Sequence, residues 1–570
     1  MDFKQFKPNL AKVFAGIPKR GVNRPSTPPA RGIEPLDARG PTRSLLRTSL
    51  AVLVMGSLLA ACGGSDTPTT LITPAIPVSS VATPKVTASV AGTHGFPFIS
   101  SALNLAEFGY VEEEFLMGGT ASAFVNTAAL GKDGVWSAAP NADAKAPYQV
   151  RMLVRRPKDA AKFNGVVVVE WLNVSAGAEG TPDWTFMMPE LLREGYAYVG
   201  VGVQNVGVSA LKGWETGAAA RYASLAHPGD SFSYDMYSQA GRAIRAPAAG
   251  DPQPLGPLTP AIKAVLADGE SQSGFRMITY FNAVHPLAKV YDGFLIHSAG
   301  AGAALSQKAP AGAGTTAAAG VPATPDIAVP PTSALRTDTG TPVLVLNTET
   351  DLTLLGAAFS LHQQVDSASF RLWELAGAAH ADQYLLDSQG PDAAKSGASF
   401  ALNCGAPPIN SMLHTYGARA ALNAVRQWVT AKTLPATAPR MTVAIAGASA
   451  TIQRDPATGL AVGGIRLPQI AVPTATHTGE RPKSALAANP FCALFGATDP
   501  WNNSSDSFDG MAGFDPLPGA EPVLTTLYPT HDNYVVKMNA AASDLVKKGF
   551  LRPQDALEIT GAASTSTVPN

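Results

Sequence analysis

The stretch Gly269-Glu270-Ser271-Gln272-Ser273-Gly274 follows the apolar run 264–267 and precedes a segment with helical spacing. A serine hydroxyl is a poor nucleophile at neutral pH, so it needs a tight turn, a base and backbone donors nearby. An elbow from strand to helix supplies the turn. Its backbone brings strand and helix close together, so the positions two before and two after the nucleophile must be small. With Ser271 as nucleophile these are Gly269 and Ser273, whereas Ser273 as nucleophile would put Phe275 in the crowded place. Ser271 is therefore the expected nucleophile, with Ser273 standing where the G-x-S-x-G pattern has its second glycine.

A base and an acid should then follow, each on a loop after its own strand, in the chain order Ser, acid, His. The strand at 341–346 leads into Asn347-Thr348-Glu349-Thr350-Asp351. Asp351 stands where the acid is expected, and Glu349, two residues earlier, is the alternative. The strand at 370–375 leads into Ala376-Gly377-Ala378-Ala379-His380-Ala381-Asp382. His380 is the expected base, since a neutral imidazole can take the Ser271 proton near neutral pH. His297 ends a strand but precedes both acids, His227 and His285 each precede a proline, and His477 and His531 lie in the C-terminal part. The oxyanion needs backbone N–H donors. Gln272 is one candidate, and Leu172 and Asn173, after an early strand, are the others. Glu170 is expected to pair with an arginine.

Positioning these groups requires alternating strands and helices. Continuous β-branched runs at 165–172 and 196–203 predict strands covered on both faces. Further strands are expected at 148–155, 264–267 and 293–297, with helices at 184–193, 233–245, after the elbow, and at 412–433. The alternation predicts an α/β fold with a mostly parallel sheet and helices on both sides. Glu112-Glu113-Glu114 reads as a solvated run. Beyond residue 434 the pattern changes to short strands, at 441–445 and 461–467, and a terminal helix at 533–548. The Ala/Gly/Pro-rich stretch 299–332 reads as an insertion that could border the substrate site.

The 570 residues carry a formal net charge of -1 and are 46% hydrophobic and 15% charged. That composition describes a folded chain with a sizeable core, and the absence of a basic block in the mature part argues against a nucleic-acid partner. Arg43 and Arg47 precede an apolar run that ends in Leu59-Ala60-Ala61-Cys62. This is an export signal, too short for a stable membrane span. Cys62 resembles the lipidated cysteine of a bacterial lipoprotein, which predicts a membrane anchor in the cell envelope, with Gly63 hinting at the outer membrane. Cys404 and Cys492 would then sit in an oxidising compartment, where a disulfide between them is plausible. No C-x-x-C motif or His/Cys cluster suggests a metal, and a serine mechanism needs no cofactor.

Four longer stretches carry a resemblance: V-V-V-E-W-L-N-V at 167–174, R-Y-A-S-L-A-H-P-G-D at 221–230, G-E-S-Q-S-G at 269–274 and W-E-L-A-G-A-A-H-A-D at 373–382. The chain resembles bacterial exported α/β hydrolase domain proteins from about His94 to its last helix, including G-I-R-L-P-Q-I-A-V-P at 464–473 and F-C-A-L-F-G at 491–496. The resemblance implies a serine hydrolase fold and an esterase-like reaction but supplies no substrate; a small-molecule ester is the expected one. The expected organisation is an N-terminal extension and signal over 1–61, a Thr/Pro/Ser tether over 62–92, a hydrolase core over 93–434 and a C-terminal appendage over 435–570. A thioesterase, amidase or polyester depolymerase on the same three residues is the nearest alternative. A lipoprotein that binds a ligand or partner without turnover is the alternative of another class.

Overall fold

Strand β4 (Val166–Trp171) is buried at all six positions. Its side chains alternate between two apolar clusters: Val167, Val169 and Trp171 join one, while Val166 and Val168 join the other. Strand β6 (Ala264–Glu270) divides in the same way, with Val265 and Ala267 on one side and Ala264 and Leu266 on the other. An unbroken apolar run is therefore what the period of two requires when both faces are covered.

The computed structural model describes residues 80–89, 91–217, 219–305, 333–354, 359–398, 402–446, 449–481, 489–502 and 522–569. Cys62 and most of the insertion, 306–332, lie outside them. The central sheet has nine strands in the order β1-β2-β3-β5-β4-β6-β7-β8-β9. The remaining strands are β1 (Lys85–Ala88), β2 (Tyr110–Asn126), β3 (Ala138–Pro157), β5 (Ala197–Val201), β7 (Gly293–His297), β8 (Val343–Thr348) and β9 (Phe370–Leu375). The pairings from β5 to β9 are all parallel, and β1, β2 and β3 add an antiparallel edge. Strand order reverses around β4, with β5 on one side and β6 on the other. In open α/β sheets such a reversal opens a crevice at the carboxyl ends of the strands, where ligands bind.

The first cluster lies under α3 (Ser233–Arg245) and the helix after the elbow, and the second under α1 (Pro182–Glu194) and α9 (Thr415–Ala431). Between them in sequence come α2 (Asn205–Trp214), α4 (Gln272–Thr279), α5 (His285–Ala288), α6 (Glu349–Thr353), α7 (Phe359–Gln363) and α8 (Gln383–Lys395). One π turn, Tyr280–Val284, joins α4 to α5.

Three expectations need correction. Residues 85–88 are the sheet's edge strand, with Val86 fully buried, so the folded part begins before His94 and takes in residues expected to be tether. Glu112, Glu113 and Glu114 lie in β2 as salt-bridge partners of arginines: Glu112 binds Arg155 and Glu113 binds Arg156, both on β3, and buried Glu114 binds Arg151 of β3 and Arg221, which follows α2. Charges on a strand can face inward when the neighbouring strand supplies their counter-ions. Among the described residues Glu170 has no arginine partner. It accepts from Asp183 N–H at 3.2 Å, Trp184 N–H at 2.9 Å and Tyr198 O–H at 2.7 Å.

The residues after 434 share the second cluster with α1 and α9. The expected strand at 461–467 is reduced to isolated bridges, at Ala461, Gly463 and Ile465, and the last of these extends the β9 edge through Leu375. Helix His531–Lys548 is followed by a helix the periodicity did not reveal, Pro553–Thr565. Its buried Asp555 binds Arg193 of α1 at 3.0 Å and Arg419 of α9 at 3.1 Å. No helix among the described residues is long and apolar enough to cross a membrane.

Candidate active site

Between the end of β6 and the start of α4, Ser271 takes φ 57° and ψ -123°. Positive φ strains any residue with a side chain. The turn is held by Ser271 N–H donating to the His297 carbonyl at 3.0 Å. A methyl on Gly269 would stand 3.2 Å from the Ser273 backbone and 3.3 Å from its Cβ, and one on Gly274 would come within 2.7 Å of Ala299 Cβ. Larger residues would therefore push the elbow apart, which is the crowding the spacing argument invoked.

The three side chains converge from three strand ends. His380 Nε2 lies 2.7 Å from Ser271 Oγ, and His380 Nδ1 lies 2.7 Å from Asp351 Oδ1. The other carboxylate oxygen, Asp351 Oδ2, accepts from Thr348 N–H at 2.6 Å and from Thr348 Oγ1 at 2.9 Å, a capping box that starts α6. Burial alone would push the Asp351 carboxyl up. The bond and charge of His380 and the Thr348 donors outweigh it and hold the group below the ordinary carboxylate range. A carboxylate on Nδ1 fixes the tautomer that leaves Nε2 free to accept the serine proton.

Glu349, the alternative acid, is placed elsewhere. Its carboxylate accepts from Gly377 N–H at 2.6 Å and Gly479 N–H at 3.0 Å, and binds Arg454 at 3.1 Å. It joins the acid loop, the histidine loop and the C-terminal part. Thr350, between the two acids, accepts from His380 N–H at 3.1 Å and donates to the Gly479 carbonyl at 2.6 Å.

Gln272 opens α4, and its side-chain amide forms a reciprocal pair with that of Gln204. Leu172 and Asn173 do not supply free amides. Leu172 N–H donates to Val201 O at 3.2 Å and Asn173 N–H to Gly180 O at 3.2 Å, because the β4 ladder and a bridge beyond it use both donors. The Asn173 side chain instead reaches the elbow, donating to the Glu270 carbonyl at 3.2 Å and to Glu270 Oε2 at 3.3 Å.

Glu270 is the group that the motif reading passed over. Its Oε1 lies 3.3 Å from His380 Nε2, and the residue is 4% exposed. A charged residue at the end of the strand, directly before the expected nucleophile, was its visible signal. Burial, then the charges of Asp183, Asp351 and Glu170, push its carboxyl well above the ordinary range. His297 lies apart from the Ser271 contact: its Nδ1 is 2.7 Å from Asp183 Oδ1, and burial pushes it down to about 3. Cys404 and Cys492 form a disulfide. Among the described residues no group of three or more His, Cys, Asp or Glu could hold a metal ion.

A family model described as an alpha/beta hydrolase domain matches residues 81–561. The chain belongs to this family. No curated protein matches the hydrolase-domain chain. Among solved structures, it is similar to an α/β serine hydrolase without lid from Xanthomonas campestris, at 13% identity over 43% of this chain and 88% of the other, with a TM-score of 0.24. It is also similar to an α/β serine hydrolase homologue from Coxiella burnetii, at 12% identity over 41% and 84%, with a TM-score of 0.23. Esterase Est22 matches at 12% identity over 51% and 78%, with a TM-score of 0.24. At such scores the family match alone carries the assignment of this hydrolase domain.

Proposed function

We propose that this hydrolase-domain protein cleaves carboxylic esters through an acyl-enzyme. The observation that supports it is the unbroken relay from Asp351 through His380 to Ser271, with both contacts at 2.7 Å. Ser271 Oγ attacks the ester carbonyl as its proton passes to His380 Nε2, and the carbonyl electron pair moves onto oxygen. We assign the oxyanion donors to Gln272 N–H, at the start of α4, and to Val174 N–H, the first amide after Asn173; no described residue accepts from the Val174 amide. Helix and loop dipoles aimed at that oxygen lower the barrier without reorganising. Collapse of the intermediate expels the alcohol, which takes the proton from His380. Water, activated by the same imidazole, then releases the acid. Asp351 keeps the ring oriented and stabilises its charged form.

A fluorophosphonate probe tests this directly. Labelling of the wild-type protein that vanishes in Ser271→Ala supports the reading, and well-folded protein that takes no label refutes it. p-Nitrophenyl esters of increasing chain length, beside amide and thioester analogues, separate ester cleavage from its nearest relatives. We also propose that Cys62 carries a lipid that anchors the enzyme in the cell envelope, on the strength of the Arg43 to Cys62 pattern. Incorporation of labelled palmitate that Cys62→Ser abolishes supports the anchor, and incorporation that persists refutes it.

A further inference from the structure

Next to the nucleophile, Glu270 places a second carboxyl at the ring nitrogen that receives the proton. Its Oε1 is 3.3 Å from His380 Nε2, at ion-pair distance, while the aligned hydrogen bond of Nε2 goes to Ser271 Oγ at 2.7 Å. The carboxyl is held from outside the elbow: Asn173 Nδ2 donates to Glu270 Oε2 at 3.3 Å and to the Glu270 carbonyl at 3.2 Å. Both partners are almost sealed from water, with side-chain exposures of 3% for His380 and 5% for Glu270. In such surroundings an opposite charge at this distance is screened weakly.

We propose that Glu270 is a fourth member of the reacting centre, stabilising the imidazolium that forms when Ser271 loses its proton. The inference rests on the relay proposed above. During attack the Oγ–H bond breaks, Nε2–H forms and the ring becomes positive, with Asp351 on one nitrogen and Glu270 beside the other. No atom transfers to Glu270. Its part is to set how readily the ring takes the charge and at which pH the ring is free to act.

Burial, then the neighbouring carboxyls Asp183 of α1, Asp351 of α6 and Glu170 of β4, oppose ionisation of Glu270, whereas the Asn173 amide favours it. A charged ring 3.3 Å away favours the anion, and the anion in turn favours the charged ring, which is inactive as a base. Withdrawing this carboxyl should therefore extend activity to lower pH.

The test compares wild type, Glu270→Gln and Glu270→Asp in the rate of Ser271 labelling by a fluorophosphonate across pH, and in kcat and KM for p-nitrophenyl acetate. In Glu270→Gln the acid limb should move down by about one pH unit and kcat should fall about tenfold, with KM within about twofold. Glu270→Asp, which withdraws the charge by one methylene, should fall between the two. A folded Glu270→Gln with the wild-type limb and kcat overturns the proposal. If that variant does not fold, a wild-type profile in Glu270→Asp overturns it instead. Ser271→Ala is the control: if it still takes label, the relay itself has failed, whereas an inert Ser271→Ala beside an unaltered Glu270→Gln removes only the role of Glu270.

Discussion

Glu349 and Asp351 stand two residues apart on one short helix, and their carboxylates serve different partners: Asp351 meets His380 Nδ1 at 2.7 Å, while Glu349 meets Gly377 N–H, Gly479 N–H and Arg454. Asp351→Asn should therefore lower kcat by about 10⁴, since an amide no longer fixes the tautomer or stabilises the charged ring. Glu349→Gln should keep kcat within about tenfold but lose about 3 kcal/mol of stability, because buried donors and Arg454 lose their anion. Ester kinetics and chemical denaturation of both variants check the pair. Equal loss of kcat in the two would return Glu349 to the role of acid.

The two serines of the elbow should behave oppositely. Ser273 is fully buried, and its hydroxyl has no hydrogen-bond partner among the described residues. Ser273→Ala removes a polar group without removing a bond, so stability should stay within about 1 kcal/mol of wild type and labelling should persist. Gly274→Ala should cost about 2 kcal/mol, because its methyl would meet Ala299 Cβ at 2.7 Å and the His297 carbonyl at 3.0 Å. Melting curves and probe labelling of both variants provide the measurement.

The disulfide closes a loop over a sequence separation of 88 residues. By the chain-entropy argument it stabilises the fold by about 4 kcal/mol. The double variant Cys404→Ser with Cys492→Ser should unfold at correspondingly lower denaturant. Wild-type protein treated with reductant under denaturing conditions should refold to the same lowered stability. An unchanged midpoint would mean that the bridge constrains little.

Burial, then the charge of Asp183, pushes Glu170 up to about 8. An unfolded chain releases this proton near its ordinary value of about 4.3. The fold retains it, so the contribution is fully present below the ordinary value and falls as pH rises toward about 8. Asp351 has the opposite sign: its lowered carboxyl stabilises above the ordinary carboxylate range and loses that contribution as pH falls through its folded value. Glu170→Gln should be less stable at every pH, yet its melting temperature should decline less between about pH 5 and pH 8. An identical slope in the two proteins would contradict the assignment.

Local chemistry was legible where one short segment supplies it. The elbow, the runs that became β4, β5, β6 and β9, and the histidine loop all follow from spacing within about ten residues. What escaped depends on partners distant in sequence. Glu114 looked like a solvent residue because Arg151 and Arg221 approach it only through the sheet and its loops. Leu172 and Asn173 looked like oxyanion donors because the pairing of their amides with Val201 and Gly180 is set by strand register and a loop bridge. Glu270 sat in plain view, but its meaning required the distance to His380. Helix Pro553–Thr565 is fastened by Asp555 to arginines on α1 and α9, a contact that periodicity does not encode.

Thr350 grips the His380 amide on one side and the Gly479 carbonyl on the other, 129 residues downstream of Thr350. A polypeptide released after α9 would keep every residue of the proposed relay and the Thr350–His380 bond, but not the carbonyl that anchors Thr350 from far along the chain. The stretch beyond α9 thus braces the very loop that seats the proposed base.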